Sequence, residues 1–100
     1  MAFEVGFKHE SLAKLERDAD YNAGHSEGIV KAFRKRMQQI RAANDERDFL
    51  ALKSLNFEKL RGGRSGQYSM RLNDQWRLIL EFQATGKGKK IIVVAIEDYH

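Results

Sequence analysis

The sequence predicts an α+β domain in which two or three helices from the N-terminal half pack on one face of a mostly antiparallel sheet. Three observations predict it. Apolar residues recur at helical spacing between residues 11 and 52, the signature of amphipathic helices. From Gln67 to Phe82 they alternate with polar ones, the period of a half-buried strand. A β-branched run, Ile91 to Ile96, follows. Helices gathered first and strands gathered later, joined by short turns, is the pattern of segregated α+β architecture.

Residues 2–8 read as a first strand, because Phe3, Val5 and Phe7 alternate with Ala2, Glu4 and Gly6. Ser11 to Asp18 reads as a short helix, with Leu12 and Leu15 at helical spacing and Glu10 near its start. Asn22 and Gly24 mark a turn. Ser26 then supplies an N-cap, and Glu27 places an acid where the helix dipole favours one. The long helix that follows runs to about Ala43. Ile29, Val30, Phe33, Met37 and Ile40 form its apolar face. Lys31, Arg34, Lys35, Arg36 and Arg41 occupy the rest, most simply as a solvated surface. Asn44-Asp45 interrupts the helix, and Asp45 caps a further short one carrying Phe49 and Leu52.

Phe57 begins a short strand that breaks at Gly62-Gly63. The chain resumes at Gly66 as a β-hairpin. Tyr68, Met70 and Leu72 alternate with Gln67, Ser69 and Arg71; Asn73-Asp74 turns the chain; Trp76, Leu78, Leu80 and Phe82 alternate with Gln75, Arg77, Ile79 and Glu81. One face is apolar. The other carries arginines and looks out of the open side of the sheet. Gly86 and Gly88 form a loop with lysines nearby. Ile91 to Ile96 reads as a central strand buried on both faces.

With 100 residues, 42% of them apolar, there is material for a single core, so residues 1–100 are expected to be one domain. Cysteine is absent, which leaves neither a disulfide nor a thiolate metal site and fits a cytoplasmic setting. His9 and His25 lack partners at ligand spacing, so no metal and no cofactor is expected. No apolar run approaches the roughly 20 residues of a membrane span, and the N-terminus has no signal-peptide core. A net charge of +4 favours a polyanionic partner.

The candidate chemistry gathers in two places. Between Phe57 and Arg77, five basic residues (Lys59, Arg61, Arg64, Arg71 and Arg77) stand against two acids, Glu58 and Asp74. A basic sheet face beside a glycine-rich loop suits a phosphate backbone. The loop from Leu60 to Gly66 lacks the Lys-Ser/Thr end of a P-loop, and no helix follows it, so it does not read as a nucleotide site. Arg61 and Arg64 give it interest, because guanidinium binds phosphate bidentately. Arg77 points away from the core, shares a face with Gln75 and has Arg71 near by. Such a group suits the charge of a phosphoryl transition state, although a surface ion pair explains a lone strand arginine as well. The second place is Asp98-Tyr99-His100. These groups accept, donate or shuttle protons and follow a buried strand directly. A frayed terminus is the plainer account of them.

The unbroken run Leu60-Arg61-Gly62-Gly63-Arg64-Ser65-Gly66-Gln67-Tyr68-Ser69-Met70-Arg71-Leu72-Asn73-Asp74-Gln75-Trp76-Arg77-Leu78, with the ending Glu97-Asp98-Tyr99-His100, resembles the HigB-type toxins of the RelE superfamily. Length, element order and hairpin match as well. The resemblance implies a RelE-like fold and a ribosome-dependent endoribonuclease that cleaves mRNA during translation. It also implies neutralisation by a cognate antitoxin with a helix-turn-helix domain. Arg77 falls at the family's active-site arginine, and Asp98, Tyr99 and His100 fall on its terminal acid, aromatic and histidine. Glu58 and Arg61 stand where some members carry a histidine and a lysine. The chemistry implied is attack of a ribose 2′-OH on its own phosphate without a metal. Arg61 and Arg77 would stabilise charge, and Asp98, His100 and Glu58 compete for proton transfer. Tyr99 would stack on a base or position the substrate. Lys59, Arg64, Arg71 and Gln75 are the RNA-binding candidates. The rival readings are a non-catalytic basic module that grips RNA or the ribosome and blocks translation, and a purely structural partner of the antitoxin.

Overall fold

The computed structural model describes residues 3–64, 66–86 and 88–98. Strand β1 (Glu4–Phe7) leads into helix α1 (Glu10–Arg17), helix α2 (Glu27–Ala42) and helix α3 (Glu46–Ala51). A 3₁₀ turn (Lys53–Leu55), strand β2 (Glu58–Lys59) and a second 3₁₀ turn (Gly62–Arg64) follow. Strands β3 (Gln67–Arg71), β4 (Trp76–Thr85) and β5 (Gly88–Asp98) complete the order. The five strands lie as β1-β5-β4-β3-β2. Among the described residues, only the β1–β5 pairing is parallel; the other three are antiparallel. The expected α+β architecture is what the chain adopts.

Helices α2 and α3 begin at the caps the sequence marks, whereas α1 begins at Glu10, one residue before the expected Ser11, with His9 before it making no side-chain cap bond. The Ser26 hydroxyl accepts the Ile29 amide at 3.4 Å, and the Asp45 carboxylate accepts the Arg47 amide at 2.7 Å, satisfying donors that an uncapped helix would leave bare. The apolar stripe of α2 packs with Leu12 and Leu15 of α1, Phe49, Leu55, and the sheet residues Met70, Leu72, Leu78, Leu80, Ile91 and Val93. Each side chain of this size contributes about 1.5–3 kcal/mol by leaving water, so this face holds the fold together. Leu52 does not join it. It lies past the end of α3 and is exposed, as is Leu50.

Two arginines of α2 are not on a solvated surface. Arg34 turns back to donate to the carbonyls of Leu15, Asp18 and Tyr21 at 2.9–3.1 Å, tying the α1–α2 connection to the helix. Arg36 is 9% exposed and donates Nε to the Arg71 carbonyl at 2.8 Å and Nη1 to Gln39 at 3.0 Å. Burial first, and then the nearby Arg71 guanidinium, pull Arg36 below the ordinary arginine value. A guanidinium carries five donors on a long stem, so backbone carbonyls at the end of a helical connection can claim it.

Strand β5 runs beyond the apolar stretch at both ends and pairs as far as Asp98 with Trp76. It also carries a bulge. Ile79 faces Ala95 and Leu80 faces Val93, which leaves Val94 without a partner residue on β4. Because side chains alternate strictly along a strand, one inserted residue exchanges the two faces for everything beyond it.

Candidate active site

The site is built on the sheet face away from the helices. The pairings place Arg71, Arg77 and Glu97 in one row across β3, β4 and β5. Glu58, Ser69, Ile79 and Ala95 form the next row, and Gln67, Glu81 and Ile92 a third. The bulge decides this arrangement. Strict alternation from core-facing Ile91 would bring Asp98 to the face of Arg77. With Val94 inserted, Glu97 comes there instead, and Asp98 pairs with Trp76.

Arg77 lies on the expected face but not in open solvent, since it is only 7% exposed. Its Nε and Nη2 donate to the Ser69 hydroxyl at 3.2 and 3.0 Å, and Nη2 also donates to the Asn56 carbonyl at 2.9 Å. Glu58 Oε2 lies 3.6 Å from Nη2. The segment before β2 creates this seat. Leu55 is buried, and Phe57 stacks on Tyr68 with ring centres 5.3 Å apart. Between these two anchors Asn56 takes the left-handed conformation, φ 44°, which asparagine tolerates better than most residues. That reversal turns its carbonyl onto the guanidinium.

The second cluster is centred on Arg64. Nη1 and Nη2 grip the two oxygens of Glu97 at 2.7 and 2.8 Å, and Nε donates to Gln67 Oε1 at 3.0 Å. Gln67 in turn donates to Glu81 at 2.8 Å. The Glu97 carboxylate raises Arg64 above the usual arginine value. Gly62 and Gly66 bound this loop with φ of 71° and 86°, a conformation open to glycine and strained for other residues.

The remaining candidates spread around these two. Glu58, Lys59, Leu60, Arg61 and Gly62 line an open recess along the edge strand, with Lys59 and Arg61 exposed. Arg71 pairs with Asp74, and Gln75 Nε2 donates to Asp98 Oδ2 at 3.0 Å. Tyr99 and His100 lie outside the described residues. Trp76, read as core, is half-buried and meets His25 edge-on at 5.8 Å. The structure thus joins Arg77 with Glu58, and Arg64 with Glu97, while Asp98 follows Trp76. Ser69 and Glu97 stood in the motif that carries the family resemblance but were given no role in a site, and Asn56 was not singled out at all. A serine and a glutamate on the arginine face carried some signal; the Asn56 carbonyl carried none. Among the described residues, no three histidine, aspartate or glutamate side chains come together as a metal-ligand set. No helix among them is long and apolar enough to cross a membrane.

Residues 5–100 match the family of HigB-like toxins, the RelE-like toxins of type II toxin–antitoxin systems. The chain belongs to the HigB-like toxin family. It is therefore a RelE-like toxin of a type II toxin–antitoxin system. No curated protein matches it in sequence. Among solved structures, this HigB-like chain is similar to a YoeB/ParE toxin from Agrobacterium tumefaciens, with TM-score 0.59 and 14% identity over 98% of this chain and 100% of that one. It is similar to YoeB in the heterotetrameric YoeB–YefM toxin–antitoxin complex from Staphylococcus aureus, with TM-score 0.57 and 19% identity over 100% and 99% of the two chains. A YoeB dimer from Staphylococcus aureus gives TM-score 0.53 at 18% identity over 100% and 99%. At these identities the likeness establishes the fold.

Proposed function

We propose that this HigB-like toxin is a ribosome-dependent endoribonuclease that cuts mRNA during translation by attack of a ribose 2′-OH on the adjoining phosphodiester. The observation that carries the reading is the Arg77 seat. A guanidinium fixed by Ser69 and Asn56 on a sheet face, with a carboxylate 3.6 Å away, is a preorganised positive charge beside a proton acceptor. Preorganisation matters because the phosphorane gains negative charge as it forms, and a donor already in place need not reorganise.

In the cut, the 2′-oxygen forms a bond to phosphorus and the bond from phosphorus to the 5′-oxygen breaks. Glu58 takes the 2′-OH proton, being the carboxylate beside Arg77. Arg77 and the exposed Arg61 carry the phosphorane charge. His100 returns a proton to the leaving 5′-oxygen. Asp98 is anchored by the β5 ladder and by Gln75, and the proposed role of Tyr99 is to stack on a base. Lys59 and Arg61 line the recess along which the backbone enters. The partner that silences the toxin is a cognate antitoxin with a helix-turn-helix domain. Residues 1–100 act as one domain in this reading.

The test is cleavage of a defined message by the purified protein, with and without programmed ribosomes. Cutting is expected with ribosomes and weak without them, because the ribosome would order the message in line. Tight binding to ribosomes with the message left intact favours the non-catalytic module instead.

A further inference from the structure

Arg36 is a buried cation with no anion to answer it. Among the described residues it forms no ion pair. Removing a charge from water without an opposite charge nearby is costly. Its place in the fold accounts for the side chain but not for the charge. The Leu72 amide bonds the Trp76 carbonyl at 2.9 Å, and successive residues of a strand turn their backbone groups to opposite sides. The Arg71 carbonyl therefore leaves the sheet edge, beyond the last described rung of β2, Glu58 opposite Ser69. Arg36 Nε donates to it at 2.8 Å. A neutral amide donor would serve that carbonyl without the buried charge.

The guanidinium has more to offer. Nη1 donates to Gln39 at 3.0 Å, and Nη2 makes no bond to the described residues. No buried side-chain nitrogen among them is left without a partner, so Nη2 comes to the surface. There it stands near a second cation. The Arg71 guanidinium, after burial, is what pulls Arg36 below the ordinary arginine value. Arg71 commits one nitrogen, Nη2, to Asp74, whose side chain is 93% exposed, and exposed pairs of this kind contribute little. Two neighbouring guanidiniums with donors to spare match the oxygens of a phosphate, whose charge would offset their mutual repulsion. The pair also lies on a path. Lys59 and Arg61 line the recess at one end of the β2–β3 edge. Arg36 and Arg71 stand at the other end, and Ser69, which holds Arg77, lies between.

We propose that Arg36 and Arg71 together bind a phosphate of the message that flanks the cut. The proposal rests on the reading of this protein as an mRNA nuclease, and it assigns a phosphate other than the scissile one. A purely structural Arg36 would tie α2 to the edge of β3 and nothing more. Its loss would then weaken the binding of every message alike. If Arg36 holds a phosphate, its loss is felt only where that phosphate carries its charge.

The experiment measures binding of labelled protein to ribosomes programmed with messages whose decoding-site codon is built of 2′-deoxynucleotides, which the proposed chemistry leaves uncut. In and beside that codon, one phosphate at a time is replaced by a neutral methylphosphonate. The parent should lose about tenfold in affinity at one flanking position, the scale of a hydrogen bond to a charged group. Arg36→Gln should lose about as much on the unmodified message. The methylphosphonate at that position should then cost Arg36→Gln less than about threefold more. Arg71→Gln, changed at a partly exposed side chain, should show the same coupling at the same phosphate. It carries the test if thermal unfolding shows that Arg36→Gln does not fold. Equal losses for parent and variants at every position overturn the proposal, as does an Arg71→Gln protein coupled to a different phosphate. Cleavage of the all-ribose message is followed alongside. A parent that binds without cutting ends the nuclease reading and leaves the coupling to decide the phosphate site. A parent that binds no programmed ribosome ends both.

Discussion

An arginine on the outward face of a strand ordinarily extends its head into water, and truncating it costs less than about 0.5 kcal/mol. Arg77 departs from this because the chain passes over it. The Asn56 carbonyl and the Ser69 hydroxyl, the latter fully buried, both accept from its guanidinium. Arg77→Ala would strand those acceptors, and one lost partner of a buried pair costs about 1–3 kcal/mol. We therefore expect Arg77→Ala to lower stability by that amount and to abolish cleavage, and Arg77→Lys to recover part of the stability and little of the rate. Trp76→Ala is the control: half-buried, it should cost at most about 3 kcal/mol, the low end for a buried aromatic. Urea unfolding and single-turnover cleavage of each variant check this, and an Arg77→Ala protein of parent stability would show that the seat carries no load. Alternation in the sequence named the face of Arg77. It did not reveal the cover, which depends on a left-handed asparagine and on two aromatic rings from different elements.

The hairpin and α2 were legible in the sequence because each buries one face and is polar on the other, and periodicity reports that directly. Strand β5 was legible from a different signal, a continuous run of β-branched apolar residues too short for a helix. Its bulge was not, since nothing in a run of isoleucine and valine marks where one residue drops out of register. That single insertion determines which of two adjacent acids, Glu97 or Asp98, stands beside Arg77. Arg34 and Arg36 were misread because helical spacing gives the direction of a side chain and not the carbonyls within its reach. The described rungs of the β5 ladder run to Asp98, and deleting Tyr99 and His100 leaves those rungs in place. The truncated protein is expected to melt within a few degrees of the parent and to lose cleavage, with His100→Gln reproducing most of that loss. A truncation that cuts at the parent rate would remove the tail from the active site.

At the scale of the molecule, the net charge of +4 is not spread evenly. On the proposed active face, Arg64 pairs with Glu97, Arg71 with Asp74, and Arg77 lies beside Glu58. Lys31 and Lys35, by contrast, are exposed along α2, whereas Arg36 in the same stretch is committed inward. If α2 meets ribosomal RNA, the double reversal Lys31→Glu/Lys35→Glu should weaken ribosome binding and flatten its salt dependence, leaving thermal stability within about 0.5 kcal/mol. Unchanged binding at every salt concentration would make that face merely solvated. In the proposed cut the message supplies its own nucleophile, with Arg77 and Glu58 arranged around it. The most direct test places one 2′-deoxynucleotide at the cut site of a message on programmed ribosomes and follows cleavage by the parent protein. The all-ribose message should be cut and the deoxy-substituted one should remain whole at that position. Equal cutting of both would contradict this chemistry.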